Sequence, residues 1–330
     1  MEFETIRRLV KASGVKEGEL ILVHFWGEDT DREIANRFAA AVAALGASPV
    51  ILQQARSVNR DLFASAKEGC FGDRYFEIIS KFDAVLDIFA YQPVILGYPL
   101  ETEQMDLYRA YIARLFQALM SCKRFAQIRI PTAANAEESG LDSEDYIRRM
   151  NNAYDIDYDA LSEKCADELK TFAGSEKVEV RTGNGCVLQL DLAGREWLID
   201  AGDGDLPCGE IYVAPVEDRT NGSVYFESLW LDDVKYTDVT LQIVNGEVTG
   251  SNNEELAKQF AEMPRENRIV CELGLGMNPK VEDLCGYTLL DEKMAGTFHI
   301  AIGMNLMIGG KNEASGHTDF VGCGKIEVIG

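Results

Sequence analysis

The stretch GELILVHFWGEDTDREIANRFAAAVAALGASPVILQQ (18–54) decides the fold of the first half of the chain. GELILVHF (18–25) is a short apolar run, as in a strand buried on both faces. Asp31 to Leu45 carries apolar residues at helical spacing and stops at Gly46, where a helix end favours glycine. SPVILQQ (48–54) is strand-like again. Strand, helix, strand in that order predicts a parallel β-α-β unit. The alternation extends in both directions. Thr5 to Ala12 reads as a helix, Phe71 to Phe82 as a helix and DAVLDIFA (83–90) as a strand. Glu101 to Cys122 is a further helix and RFAQIRI (124–130) a further strand. The first half is therefore expected to be an α/β domain with a mostly parallel sheet. No GxGxxG follows the first strand, so a dinucleotide site is not supported. His24, at the end of that strand, reads as structural.

The character changes after residue 172. A helical stretch from Ser143 to Phe172, interrupted near Asp155–Asp157, reads as the connection between domains. Beyond it come short strands and turns: VEVRTGNGCVLQLDL (178–192), GSVYFESLWL (222–231) and VTLQIVNGEVTG (239–250). Asn184-Gly185 and Asn245-Gly246 are hairpin signals. One helix, Asn253 to Phe260, interrupts the strands. The expected plan is an α/β domain over 1–172, including the connecting helix. A strand-rich α+β domain over 173–330 completes it.

Composition narrows the function. A chain of 330 residues suits two domains. Fifty-five Asp and Glu against 32 Lys and Arg give a net charge of −23. Such a chain repels phosphate backbones and anionic membrane surfaces, so neither nucleic acid nor membrane is an expected partner. The N-terminus lacks the apolar core of a signal peptide, and no run reaches ~18 apolar residues. Eight cysteines are scattered with no CxxC pair, several within apolar strands. They read as free thiols, in keeping with a reducing, cytoplasmic compartment.

The chemistry concentrates in the second half. His317 and Asp319 stand two apart in ASGHTDFVGCG, on one face of an extended strand. Imidazole and carboxylate side by side suit a catalytic divalent metal. In FHIAIGM (298–304), His299 shares a face with Ala301 and Gly303. In CELGLGM (271–277), Glu272 shares one with Gly274 and Gly276. Small residues beside each ligand are expected to leave room for a metal and a substrate. The opposite faces are apolar and suited to a core. Glu210, with Tyr212 and Ala214 on its face, is a further candidate ligand. Glu292, in the DEK before His299, is a candidate proton carrier.

The segments GEIYVAP (209–215), CELGLGMNP (271–279), DEKMAGTFHIAIG (291–303) and GHTDFV (316–321) resemble the thermophilic metallo-aminopeptidases. These are enzymes of the aminopeptidase T and aminopeptidase S type, leucyl aminopeptidase-like in activity. The likeness extends over most of the chain in plan and is specific from Pro207 to Gly322. It implies that Glu210, Glu272, His299, His317 and Asp319 ligate two divalent metals, zinc or cobalt, with Glu272 bridging. It also implies an N-terminal α/β domain, a C-terminal metal domain and a homodimer enclosing the active site. The chain is shorter than typical members. Where the family has an active-site tyrosine, seven residues after the first ligand histidine, this chain has Leu306.

The activity so implied is hydrolysis of a peptide or small amide by a water held between two metals ~3.5–4 Å apart. The acidic cavity suits a substrate's free α-ammonium. An alternative is a mononuclear iron(II) ring-cleaving dioxygenase of the dihydroxypyridine type, using His299, His317 and Asp319. A dimeric scaffold with a relic site is a third reading.

Overall fold

The computed structural model describes residues 1–232 and 234–329. In chain order its elements begin with α1 (Phe3–Ala12), β1 (Leu20–Trp26), α2 (Arg32–Ala44), β2 (Ser48–Gln54) and α3 (Arg56–Ala64). They continue with α4 (Asp73–Ile79), β3 (Ala84–Phe89), α5 (Thr102–Met120), β4 (Arg124–Arg129), α6 (Ala133–Glu138) and α7 (Ser143–Tyr154). Then come α8 (Tyr158–Phe172), β5 (Lys177–Arg181), β6 (Val187–Asp191), β7 (Leu198–Asp200), β8 (Asp205–Leu206) and β9 (Glu210–Val213). The last group is β10 (Asn221–Leu231), β11 (Val234–Val244), β12 (Glu247–Ser251), α9 (Glu254–Glu262), β13 (Val270–Gly276), α10 (Thr288–Asp291), β14 (Phe298–Gly303), β15 (His317–Gly322) and β16 (Lys325–Val328).

Two compact units divide the chain. One is Met1–Tyr158 with Gly202–Cys208; the other is Asp159–Ala201 with Gly209–Gly330. The division falls between Tyr158 and Asp159, after the first residue of α8, so the rest of that helix is grouped with the second unit. The expected interruption at 155–157 is the gap between α7 and α8.

The first unit holds a five-stranded sheet in the order β2-β1-β3-β4-β8, every pair parallel. The apolar runs of β1 and β3 are buried along nearly their whole length, as central parallel strands must be. On one side α5 contributes Tyr108, Tyr111, Ile112, Leu115 and Leu119 to a core with Phe63, Phe76 and Phe89. Two polar side chains enter the middle of this sheet. His24 on β1 and Asp87 on β3 are paired in register and fully buried. Asp87 Oδ1 accepts from His24 Nδ1 at 2.7 Å and from Trp26 Nε1 at 3.0 Å.

The second unit has two antiparallel sheets. One runs β12-β11-β10-β6-β5-β16 and the other β15-β14-β13-β9-β7. Both expected hairpins form. Asn184-Gly185 joins β5 to β6 and Asn245-Gly246 joins β11 to β12, all four residues at positive φ as tight primed turns require. Asn253, ahead of α9, caps it by accepting from Leu256 N at 3.0 Å. Among the described residues, no helix is long and apolar enough to cross a membrane. Five of the eight cysteines are buried.

Candidate metal centre

The sheet β15-β14-β13-β9-β7 builds the site by register alone. Directly opposed residues of an antiparallel pair point to the same face. Glu210 opposes Gly276, and Tyr212 opposes Gly274. Gly274 opposes His299, and Glu272 opposes Ala301. Ala301 opposes Asp319, and Gly303 opposes His317. One face of four neighbouring strands therefore presents Glu210, Glu272, His299, His317 and Asp319 together. The other face sends Phe298, Ile300, Ile302 and Leu273 into the core.

The five side chains make two groups, each with ligand atoms within 4.8 Å of one another: Glu210, Glu272 and His299, and Glu272, His317 and Asp319. His299 Nε2 lies 3.2 Å from Glu272 Oε1 and 3.5 Å from Glu210 Oε2. His317 Nε2 lies 3.5 Å from Glu272 Oε2 and 3.4 Å from Asp319 Oδ1. Glu272 belongs to both groups, one oxygen to each. The set fits a divalent metal. Glu210 Oε2 is buried with no hydrogen-bond partner, an expensive condition for a carboxylate oxygen that a cation would relieve. His317 donates from Nδ1 to the Met304 carbonyl at 2.9 Å, which turns Nε2 toward the carboxylates.

The small residues on this face have a different use from the one their size suggests. A Cβ on Gly274 would lie 2.0 Å from His299 Nε2, so the glycine's space is filled by the imidazole itself. A Cβ on Gly276 would meet the Met294 carbonyl at 2.0 Å, and one on Gly303 the Gly316 carbonyl at 2.1 Å. These glycines make room for the protein's own ligands and backbone rather than for a substrate. Gly274→Ala is accordingly expected to push His299 off its position. A displacement near 1 Å costs ~100-fold in a metal-assisted reaction. A kcat within twofold of wild type, with unchanged metal content, would show that the imidazole relaxes freely.

Cys271 also departs from expectation. Strict alternation places it with Leu273 on the core face. A bulge between Val270 and Glu272 interrupts the alternation, and Cys271 Sγ comes within 3.6 Å of His317 Nδ1. Burial pushes its thiol up to about 11, so it stays protonated and unreactive.

Glu292 follows α10 and is partly buried, its side chain 13% exposed, rather than fully solvated. Its carboxylate lies 2.7 Å from Lys293 Nζ. That same ammonium, 1 % exposed, donates to Glu210 Oε1 at 2.5 Å. Lys293 is the residue that pattern reading passed over; the signal was the DEK tripeptide that already held Glu292. Leu306 lies on a short 3-10 turn, Leu306–Ile308, and is 48 % exposed.

Without metal the cluster holds protons. Burial pushes the Glu210 carboxyl up to about 8. Burial opposes charge on His299, but Glu272 and Glu210 outweigh it and raise the imidazole to about 9. His317 is raised too, with Asp319 outweighing burial. Each of these groups binds its proton more tightly folded than unfolded. Their stabilisation of the metal-free protein is present at low pH and is lost as pH rises, through about 8 for Glu210 and about 9 for His299. Metal must displace the same protons, so its affinity rises over that window. Thermal melting with and without metal should show a metal-induced gain larger at pH 8.5 than at pH 6. A gain that is flat or falls with pH would separate these groups from metal binding.

A family model described as thermophilic metalloprotease (M29) matches residues 9–325. The chain belongs to that family. As an M29 protein it is a metal-dependent peptidase, a hydrolase whose family implies a divalent metal. Among solved structures it is similar to wild-type AmpT from Thermus thermophilus, at 19% identity and a TM-score of 0.67. That match covers 96% of this chain and 91% of the other. It is similar also to the 2,5-dihydroxypyridine dioxygenase of Pseudomonas putida KT2440, at 15% identity and a TM-score of 0.65. That match covers 99% of this chain and 93% of the other. At such identities the two likenesses establish the fold, which this M29 chain shares with both. No curated protein matches it.

Proposed function

We propose that the chain is an aminopeptidase with a two-metal centre. Glu210, Glu272 and His299 would hold one divalent ion, and Glu272, His317 and Asp319 the other. The observation that carries this reading is Glu272, whose two oxygens face two histidines on different strands, 3.2 and 3.5 Å away. A carboxylate so placed is suited to bridge. Zinc or cobalt matches the mixture of imidazole and carboxylate donors. When bound, such a pair supplies Lewis acidity toward a carbonyl and an activated water.

The chain's own residues supply the rest. Glu292 is the proton carrier: burial raises its carboxyl, which favours holding a proton that can pass to a leaving amine. The carboxylates around it attract the α-ammonium of a peptide or small amide. The family resemblance supports a homodimer, and the free thiols support a reducing, cytoplasmic setting.

The dioxygenase reading draws on the likeness to the Pseudomonas enzyme. A single iron on His299, His317 and Asp319 leaves Glu210 and Glu272 without a metal. Among the described residues, both ligand groups contain a glutamate, which favours the peptidase. Metal analysis of the purified protein with anomalous scattering tests the choice. Two ions flanking Glu272, and chelator-sensitive release from aminoacyl anilides, are the expected results. One iron on the two histidines and Asp319, or no metal-dependent release from any anilide, would overturn the reading.

A further inference from the structure

Lys293 is the unassigned group closest to the candidate ligands. It is 1 % exposed, in the turn immediately after α10. Its Nζ lies 2.5 Å from Glu210 Oε1 and 2.7 Å from Glu292 Oε1. Glu210 thereby spends one oxygen on the ammonium. The other, Oε2, is buried, has no hydrogen-bond partner and lies 3.5 Å from His299 Nε2. The position of Lys293 is itself fixed by backbone. Asn278 N donates to the Lys293 carbonyl at 2.8 Å, and the absent side chain of Gly276 lets Glu292–Met294 lie against β13.

We propose that Lys293 is a positioning residue of the metal centre: it binds Glu210 through Oε1, so that Oε2 alone is presented to the ion shared with His299. The same ammonium holds Glu292 beside that ion. A carboxylate without this partner would turn to chelate through both oxygens or rotate away, and a monodentate ligand with a fixed outer partner is the more sharply aimed one. An ammonium suits the task because it is a compact charge with several donors. The proposal rests on the two-metal reading above and adds a residue to it.

The test is a Co²⁺ titration of wild type and Lys293→Met, followed by visible absorption and by metal content after dialysis. Wild type is expected to bind two ions. The variant should keep the ion of Glu272, His317 and Asp319 at wild-type affinity. It should bind the ion of Glu210 and His299 ~10- to 100-fold more weakly, with an altered cobalt spectrum. A merely structural lysine would not weaken one ion and spare the other. Two ions bound by the variant at wild-type affinity overturn the role of Lys293 alone. A single ion in wild type overturns the two-metal reading and this proposal with it. Should the variant not fold, the metal-loaded wild-type crystal structure decides. Lys293 Nζ on Glu210 Oε1 with the ion on Oε2 supports the proposal, and Glu210 chelating through both oxygens with Lys293 turned away overturns it.

Discussion

If the centre holds the two proposed ions, Glu272→Gln is expected to lower kcat by three to four orders of magnitude and to strip both on dialysis. The amide keeps the size of the side chain but removes its charge and offers one acceptor where two were needed. No other residue of the cluster belongs to both ligand groups, so no other single change reaches both. A loss of that size corresponds to roughly 4–5.5 kcal/mol of transition-state stabilisation. The fold should survive, because Glu272 lies on the ligand face of β13 while the core face is untouched. Metal content and the circular dichroism spectrum separate the outcomes. A variant that keeps one ion at full affinity would mean that the clusters do not share this carboxylate. A variant that unfolds would mean that Glu272 is a structural residue.

The second large effect lies in the other unit. Asp87→Ala is expected to destabilise the protein by about 3 kcal/mol, since it leaves His24 Nδ1 and Trp26 Nε1 buried without their shared acceptor. Asp87→Asn retains one acceptor and should cost less than half as much. The pair is at 0% exposure, so water cannot replace the lost contacts without opening the sheet. Chemical denaturation measures both variants. If Asp87→Ala falls within 0.5 kcal/mol of wild type, the buried pair contributes no net stability.

The α/β half was legible because strands covered on both faces read as apolar runs, and β1, β2 and β3 fall within two residues of the runs that announced them. Helix α3 was not anticipated. RSVNRDLFA is mostly polar, and of its side chains Asn59 and Phe63 are the buried ones, too few to mark a face. The five candidate ligands were legible because a strand's period of two brings them to one side, and the register then aligns four strands. What alternation cannot reveal is where it fails. The bulge at Cys271 was invisible for that reason. The DEK tripeptide marks the place of Lys293 but not its burial, because the partner Glu210 lies 83 residues away. Alternation shows the small residues but not what fills the space over them: the imidazole over Gly274 comes from the neighbouring strand.

One detail of the chain's path bears on how such a protein can be taken apart. The seven residues Gly202–Cys208 leave the second unit and return to the first, where β8 pairs with β4 at Gln127 and Ile128. The two units are thus not successive modules but interleaved ones. A single cut, wherever it falls between α7 and β9, deprives one unit of a piece that the other fragment carries away. A fragment ending at residue 158 would expose the rim of β4, with its backbone amides and carbonyls open to adventitious pairing. Recombination that exchanges one unit for that of a relative therefore needs three junctions, after residues 158, 201 and 208, or must move the whole chain.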